Sequence, residues 1–461
     1  VDELAAGLRK LGIKKGDRIG VSLPAWYEFI VIVFALARVG AILVPLNTRY
    51  REDEAEHILK DSGAVAVFIT KEYDNVNQLQ KFLNIRERVA SLQHIIAVRF
   101  GHDGLHTYGS LQKEGNLIGF TSEEIVTRED VYALVYTSGT TGKPKGTMLT
   151  HYNLVFSVIN SCLAINAQED DVYLHASPYF HIMGIAGILR MVVSKSKAVI
   201  LEKYQVERTL QLIEQEKITI HSGVPTIFIL ELNHPRFSNY DLSSLRVSIM
   251  AGAPCPVEIL RRVKTEMGCP VLVSYGMTET APILTFTEFE DDEYIQSETV
   301  GKAIKGVELK IVDDNRQELP RGTVGEISTR TPGLMKGYYN LPEQTREVVD
   351  EEGWFYTGDL GTMDERGYIR IVGRKKEMLI RGGYNVYPTE IEEAFYEHPA
   401  VLEVAIVGFP DTVLGEVSCA AITLKEKNAI SKDELKTYIS SKVADYKVPD
   451  HIVIVEELPK T

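Results

Sequence analysis

The sequence predicts an α/β fold, with a large multi-sheet N-terminal domain followed by a small α+β C-terminal domain. Two observations carry this. Over residues 1–70, short apolar runs alternate with amphipathic helical patterns. That is the βαβ rhythm of a largely parallel sheet covered by helices. A β-rich region with clean period-2 alternation then spans 300–373, and short helices and strands return after it. At 461 residues the chain is long enough for more than one core.

The elements follow in order. Leu4, Leu8 and Leu11 share a helical face that Gly12 ends. Asp17-Arg-Ile-Gly-Val-Ser-Leu reads as a strand, 28–39 as a buried helix and Ala41-Ile-Leu-Val-Pro as a strand. An amphipathic helix over 51–62 precedes the strand Ala64-Val-Ala-Val-Phe-Ile. Residues 71–128 look less regular. Val131-Tyr-Ala-Leu-Val-Tyr136 is a buried strand, Met148-Leu-Thr reads as a turn, and a helix begins at His151. His221-Ser-Gly-Val-Pro and Ser248-Ile-Met-Ala-Gly-Ala-Pro254 read as strand ends turning into helices. Past the β-rich region come a helix over 390–398 and strands at 404–408 and 417–424. Ser431 and Glu434 make a capping box before the next helix, and His451-Ile-Val-Ile-Val is the last strand.

Composition narrows the function. A net charge of −14 disfavours nucleic acid as a partner. The most apolar segment, 29–44, is interrupted by Arg38 and Gly40 and is too short to cross a bilayer. The four cysteines, Cys162, Cys255, Cys269 and Cys419, have no metal-like spacing. Reduced thiols in the cytoplasm are expected, and no signal peptide is visible. The chain begins at Val1 inside a helical pattern, so residues in front of it are expected to be missing.

The densest chemistry is Tyr136-Thr-Ser-Gly-Thr-Thr-Gly-Lys-Pro-Lys-Gly-Thr147. Glycines let a backbone approach a ligand closely, N–H groups and hydroxyls wrap an anion, and Lys143 and Lys145 supply charge. The segment reads as a phosphate-holding loop. It is not a Walker loop: Gly139 and Gly142 are too close, and Pro144 follows Lys143.

This loop resembles the signature of the adenylate-forming superfamily, which comprises acyl-CoA synthetases, luciferases and adenylation domains. Further motifs follow in that family's order, and the likeness is closest to medium- or long-chain fatty acid–CoA ligases. The resemblance implies that Thr137, Ser138, Gly139, Thr140, Thr141, Gly142 and Lys145 hold the phosphates of ATP. In Val271-Leu-Val-Ser-Tyr-Gly-Met-Thr-Glu279 it implies that Tyr275 packs on the adenine beside Gly276 and Met277. It also implies that Thr278 binds the α-phosphate and that Glu279 helps to hold Mg²⁺. Gly252, Ala253 and Pro254 would lie beside the adenine and the acyl pocket. Asp359, in Thr357-Gly-Asp, would accept the ribose hydroxyls, with Ile371 and Arg374 near the nucleotide. Lys376 would be the hinge between an N-terminal domain (1–373) and a mobile C-terminal domain (374–461). The Arg381-Gly382-Gly383-Tyr loop would swing in for the thioester step.

His181, in Ser177-Pro-Tyr-Phe-His181, falls where the family places an aromatic or histidine between acyl pocket and phosphates. An Asp that would hold an amino group is absent there, which speaks against an amino acid substrate. The small residues Gly223, Val224, Ala251 and Gly252 suit an alkyl chain. The implied activity is therefore activation of a fatty acid to acyl-AMP with release of pyrophosphate, then transfer to coenzyme A. A coumarate-type aryl-CoA ligase, a luciferase-like oxygenase and a nucleotide-binding pseudoenzyme stay open as alternatives. A homodimer is an open expectation. One departure stands out. The family continues past Leu458-Pro-Lys-Thr461 into a glycine-containing turn ending in a lysine that serves adenylation. Lys460 lies on the wrong side of that turn and is not given the role, and a trimmed C-terminus is expected.

Overall fold

A computed structural model describes the chain apart from residues 122–124, 138–143, 253–256, 382–383, 412–413, 427–428 and 460–461. The first sheet is built from β1 (Arg18–Ser22), β2 (Ile42–Pro45), β3 (Ala66–Ile69), β4 (His94–Ala97) and β5 (His106–Thr107), all parallel. Next comes β6 (Val131–Thr137), parallel to β2, and then β7 (Lys145–Thr150), antiparallel to β6. The stretch read as a turn at Met148 is thus a strand. Four of its six residues are buried, because β7 is paired within the sheet and does not face solvent as a turn would.

Residues 71–128 are more regular than their sequence suggests. Helices span Gln78–Arg88 and Tyr108–Ile118 around β4 and β5. The first of these buries polar side chains, which hides its apolar periodicity. Gln78 donates to the Thr48 carbonyl at 2.7 Å, and Lys81 Nζ to the Tyr50 carbonyl at 2.9 Å.

The second sheet holds β8 (Val172–His175), β9 (Lys197–Ile200), β10 (Ile220–Gly223), β11 (Val247–Ala251) and β12 (Val271–Tyr275), all parallel. Two short antiparallel strands, β13 (Thr285–Phe286) and β14 (Lys302–Ala303), close one edge. The spatial order is β14-β13-β12-β11-β10-β8-β9. Asp171 aligns the strand starts: it accepts from Thr219 Oγ1 at 2.7 Å and pairs with Arg246 Nη2 at 2.7 Å. The third sheet is antiparallel, formed by β15 (Glu308–Val312), β16 (Gly325–Arg330), and two strands placed beyond the short β17 (Gly337–Tyr338), namely β18 (Phe355–Met363) and β19 (Ile369–Arg374). The strand β17 does not join it but returns to the first sheet and pairs with β7.

A separate small sheet follows: β20 (Leu379–Arg381), β21 (Tyr384–Val386), β22 (Val401–Asp411), β23 (Gly415–Leu424) and β24 (His451–Ile454). Its own core includes Ile391, Phe395, Ile406, Ile422, Leu435 and Ile439. The Ser431–Glu434 capping box forms as expected. Among the described residues no helix is long and apolar enough to cross a membrane.

Candidate active site

In the second sheet the strand order reverses between β8 and β10. In such sheets the crevice at the carboxyl ends beside the reversal is where ligands bind. The chain after β8 delivers His181 to this crevice as the N-cap of the helix Ile182–Ser194. Its ring packs on Phe180, with centroids 4.5 Å apart. The imidazole is reached by solvent, yet the protein around it partly desolvates it and holds its pKa below the ordinary histidine value. The neutral ring therefore dominates at pH 7. From β11 comes Gly252, at φ +83°. A Cβ there would stand 3.6 Å from Val224 Cγ1 and 3.9 Å from Met183 Sδ. Ends of three elements thus bring Gly252, Val224 and Met183 together.

The next strand, β12, ends in Tyr275 and Gly276. A side chain at Gly276 would stand 1.9 Å from the Pro282 carbonyl oxygen, so the backbone can fold back only at glycine. Met277 caps a 3₁₀ turn, Thr278–Thr280, and its N–H donates to Thr280 Oγ1 at 3.2 Å. Glu279 sits in that turn and accepts from the Tyr338 hydroxyl at 2.9 Å through Oε1.

The phosphate-loop sequence joins β6 to β7. Thr137 pairs with Lys145 and Tyr136 with Gly146, so Ser138, Gly139, Thr140, Thr141 and Gly142 are bracketed by paired strands while lying outside the described residues. Ala253, Pro254, Gly382 and Gly383 also lie outside them. The base of the hairpin is fixed by Tyr136, whose hydroxyl donates to Asp61 Oδ2 at 2.6 Å. Lys145 Nζ lies 5.0 Å from the centre of the Tyr338 ring.

Asp359 and Arg374 face each other across β18 and β19, with Arg374 Nε 3.3 Å from Asp359 Oδ1. The Tyr275 hydroxyl donates to Asp359 Oδ2 at 2.7 Å. Burial raises the pKa of Asp359, while the bond from Tyr275 and the charge of Arg374 act the other way. Ile371 lies further back on β19, opposite Gly361. Lys376 sits in the turn 375–377, where Glu377 and Met378 both donate to the Arg374 carbonyl at 3.0 Å. Its neighbour Lys375 is anchored to Asp314 at 2.8 Å and Glu326 at 3.1 Å.

Three of the expected nucleotide residues, Tyr275, Asp359 and Arg374, are thus brought into direct contact. Thr278 and Glu279 share the turn that follows Tyr275, and His181 caps the helix that carries Met183. The sequence reading missed Tyr338, Asp61 and Lys375. Tyr338 stood in plain view in Gly333-Leu-Met-Lys-Gly-Tyr-Tyr, but nothing in a lone sequence links it to Glu279.

A family model described as AMP-binding enzyme matches residues 1–339, and its C-terminal domain model matches 390–461. The chain belongs to this family of AMP-binding enzymes. A medium-chain fatty-acid–CoA ligase of Escherichia coli is 35% identical, over 99% of this chain and 81% of that protein. The ATP-bound structure of MatB from Rhodopseudomonas palustris superposes with a TM-score of 0.88 at 30% identity, covering 100% of this chain and 88% of that one. The o-succinylbenzoate CoA synthetase of Bacillus subtilis, solved with its acyl-adenylate intermediate, gives 0.84 at 29% identity, with 100% and 88% covered.

The donor set of this AMP-binding enzyme suits Mg²⁺. Among the described residues no group of three or more His, Cys, Asp and Glu side chains could cage a metal. A single carboxylate such as Glu279, completed by substrate phosphates, is what Mg²⁺ takes.

Proposed function

We propose that this enzyme, an ATP-dependent acyl-CoA synthetase of the AMP-forming kind, takes a medium-chain fatty acid as its carboxylate. The observation that carries the choice of acid is the meeting of Met183, Val224 and Gly252, whose apolar atoms would line a slot for an alkyl chain. The name of the Escherichia coli relative points the same way. The enzyme uses ATP, Mg²⁺ and coenzyme A. Tyr275, Asp359 and Arg374 hold the nucleoside. Thr137, Lys145, Thr278 and the loop 138–143 orient the phosphates, and Gly252, Gly276 and Met277 let the backbone close on the adenine. Glu279 is the protein ligand for Mg²⁺, which when bound offsets the charge on the phosphates.

The acid's carboxylate oxygen then bonds to the α-phosphorus, and pyrophosphate leaves. The protein's share is orientation and charge compensation. His181, neutral at pH 7, stands between slot and phosphates without adding a competing positive charge. Rotation of the residues beyond Lys376 about that hinge brings the loop carrying Gly382 and Gly383 to the site. The sulfur of coenzyme A bonds to the acyl carbonyl carbon, and AMP departs. We place the enzyme in the cytoplasm, where Cys162, Cys269 and Cys419, which form no disulfide, stay reduced. The homodimer is part of the same proposal.

The test is mass spectrometry of the products from ATP, Mg²⁺, coenzyme A and a mixture of hexanoate, octanoate, palmitate, coumarate and amino acids. Octanoyl-CoA as the main product supports the proposal. Coumaroyl-CoA would overturn the choice of acid, and an adenylate with no thioester would overturn the acceptor.

A further inference from the structure

The segment 335–339 touches both halves of the phosphate site. On one side, the Met335 N–H donates to the Glu279 carbonyl at 2.8 Å. On the other, Lys336 N–H donates to Met148 O at 2.9 Å and Tyr339 N–H to Gly146 O at 2.8 Å, both on β7. Between them stands Tyr338, buried, its backbone N–H bonded to Thr345 Oγ1 at 2.9 Å. Its ring lies under the Lys145 ammonium and its hydroxyl reaches Glu279 Oε1. The Lys145 ammonium stands over the face of the ring and the Glu279 carboxylate at its hydroxyl edge. Among the described residues neither forms an ion pair, with the other or with a third group.

We infer that Tyr338 is a positioning residue that keeps Lys145 and Glu279 apart and fixes one Glu279 oxygen, so that both charges stay available to the metal–nucleotide. The physical argument has two parts. A lysine and a glutamate sharing a small site would otherwise neutralise each other, and the aromatic ring gives the ammonium a weaker partner that a phosphate can displace. A carboxylate that already accepts a hydrogen bond on one oxygen loses less rotational freedom on binding a metal with the other, the usual task of groups behind a metal ligand. The inference rests on the reading of Glu279 as the Mg²⁺ ligand.

The experiment compares the unaltered protein with Tyr338→Phe, Glu279→Gln and the double variant. Mn²⁺ binding is followed by electron paramagnetic resonance in the presence of α,β-methylene-ATP, which does not turn over. Binding of the analogue without metal and melting temperature are measured alongside. Tyr338→Phe keeps the ring and removes only the hydroxyl. It is expected to weaken Mn²⁺ binding roughly 10- to 100-fold, the range for groups that orient a metal ligand. Metal-free analogue binding should not change, and the double variant should lose no more than Glu279→Gln alone. Unchanged Mn²⁺ binding in Tyr338→Phe, with a loss in Glu279→Gln, would overturn this inference and leave the role of Glu279 standing. Unchanged binding in Glu279→Gln would overturn both. Thr345→Val, which removes the acceptor for the Tyr338 N–H, is the second variant should Tyr338→Phe not fold. A smaller loss of Mn²⁺ affinity is expected there, and none would count against the inference.

Discussion

The Tyr275 hydroxyl donates to Asp359 Oδ2 at 2.7 Å, joining the end of a parallel strand in the second sheet to an antiparallel strand of the third. A side chain proposed to pack on the adenine thereby holds one proposed to bind the ribose. Tyr275→Phe is expected to raise KM for ATP roughly tenfold while leaving the KM for the acid near its original value. It should also cost about 1–3 kcal/mol of stability, because a buried carboxylate loses a donor. The sign of the pH effect is fixed as well. Tyr275 lowers a pKa that burial raises. Its removal should shift the acid limb of kcat/KM for ATP to higher pH, and a rate profile from pH 5 to 8 would measure it.

Val224→Phe fills the slot that Met183 and Gly252 share. Dodecanoate should lose kcat/KM relative to hexanoate by roughly tenfold or more, in line with what a few methylenes are worth in an apolar pocket. Equal loss for both acids would mean that the alkyl chain runs elsewhere.

Lys376→Pro stiffens the middle of the turn that links the domains. Pyrophosphate release without coenzyme A should persist, while thioester formation slows by about tenfold or more, as expected for a hindered domain movement. Quenched-flow measurement of the two steps separates them. Equal slowing of both would remove Lys376 as the hinge.

Lys81 is buried, and burial lowers its pKa to about 8. The unfolded chain, with an ordinary lysine pKa of about 10.4, binds the proton more tightly than the folded one. Stability should therefore rise as pH increases from about 8 to about 10.4, by roughly 2 kcal/mol. Lys81→Met should abolish that rise, which denaturant unfolding of both proteins at pH 7.5 and 10 would reveal.

Much of this arrangement was legible in the sequence, because the motifs around Thr137 and Tyr275 sit at strand ends that short apolar runs announce, and Asp359 lies in a Thr-Gly-Asp motif within β18. The failures have physical causes. The helix Gln78–Arg88 hides its period behind buried Gln78 and Lys81. The helix Tyr108–Ile118 contains Gly115, which reads as a breaker. In the fold, the Glu3 carbonyl oxygen lies 1.7 Å from where a Cβ would stand, so glycine lets two helices touch. The turn reading at Met148 fails because a hairpin strand and a turn share small and hydroxyl residues. The bonds from Tyr338 to Glu279 and from Tyr275 to Asp359 join residues 59 and 84 positions apart, a separation over which no local pattern reaches.

The anchoring of Lys375 has a consequence for how such a chain can change over generations. Its ion pairs with Asp314 and Glu326 tie the last residue before the swivel to the larger body. What lies beyond carries its own apolar interior and rests Leu402 against the core of the second sheet. On the proposed mechanism, a genetic exchange cut at this seam would move the acyl-accepting loop together with the core that supports it. On that reading acceptor choice and acid choice could be inherited separately, provided the surface under Leu402 is kept.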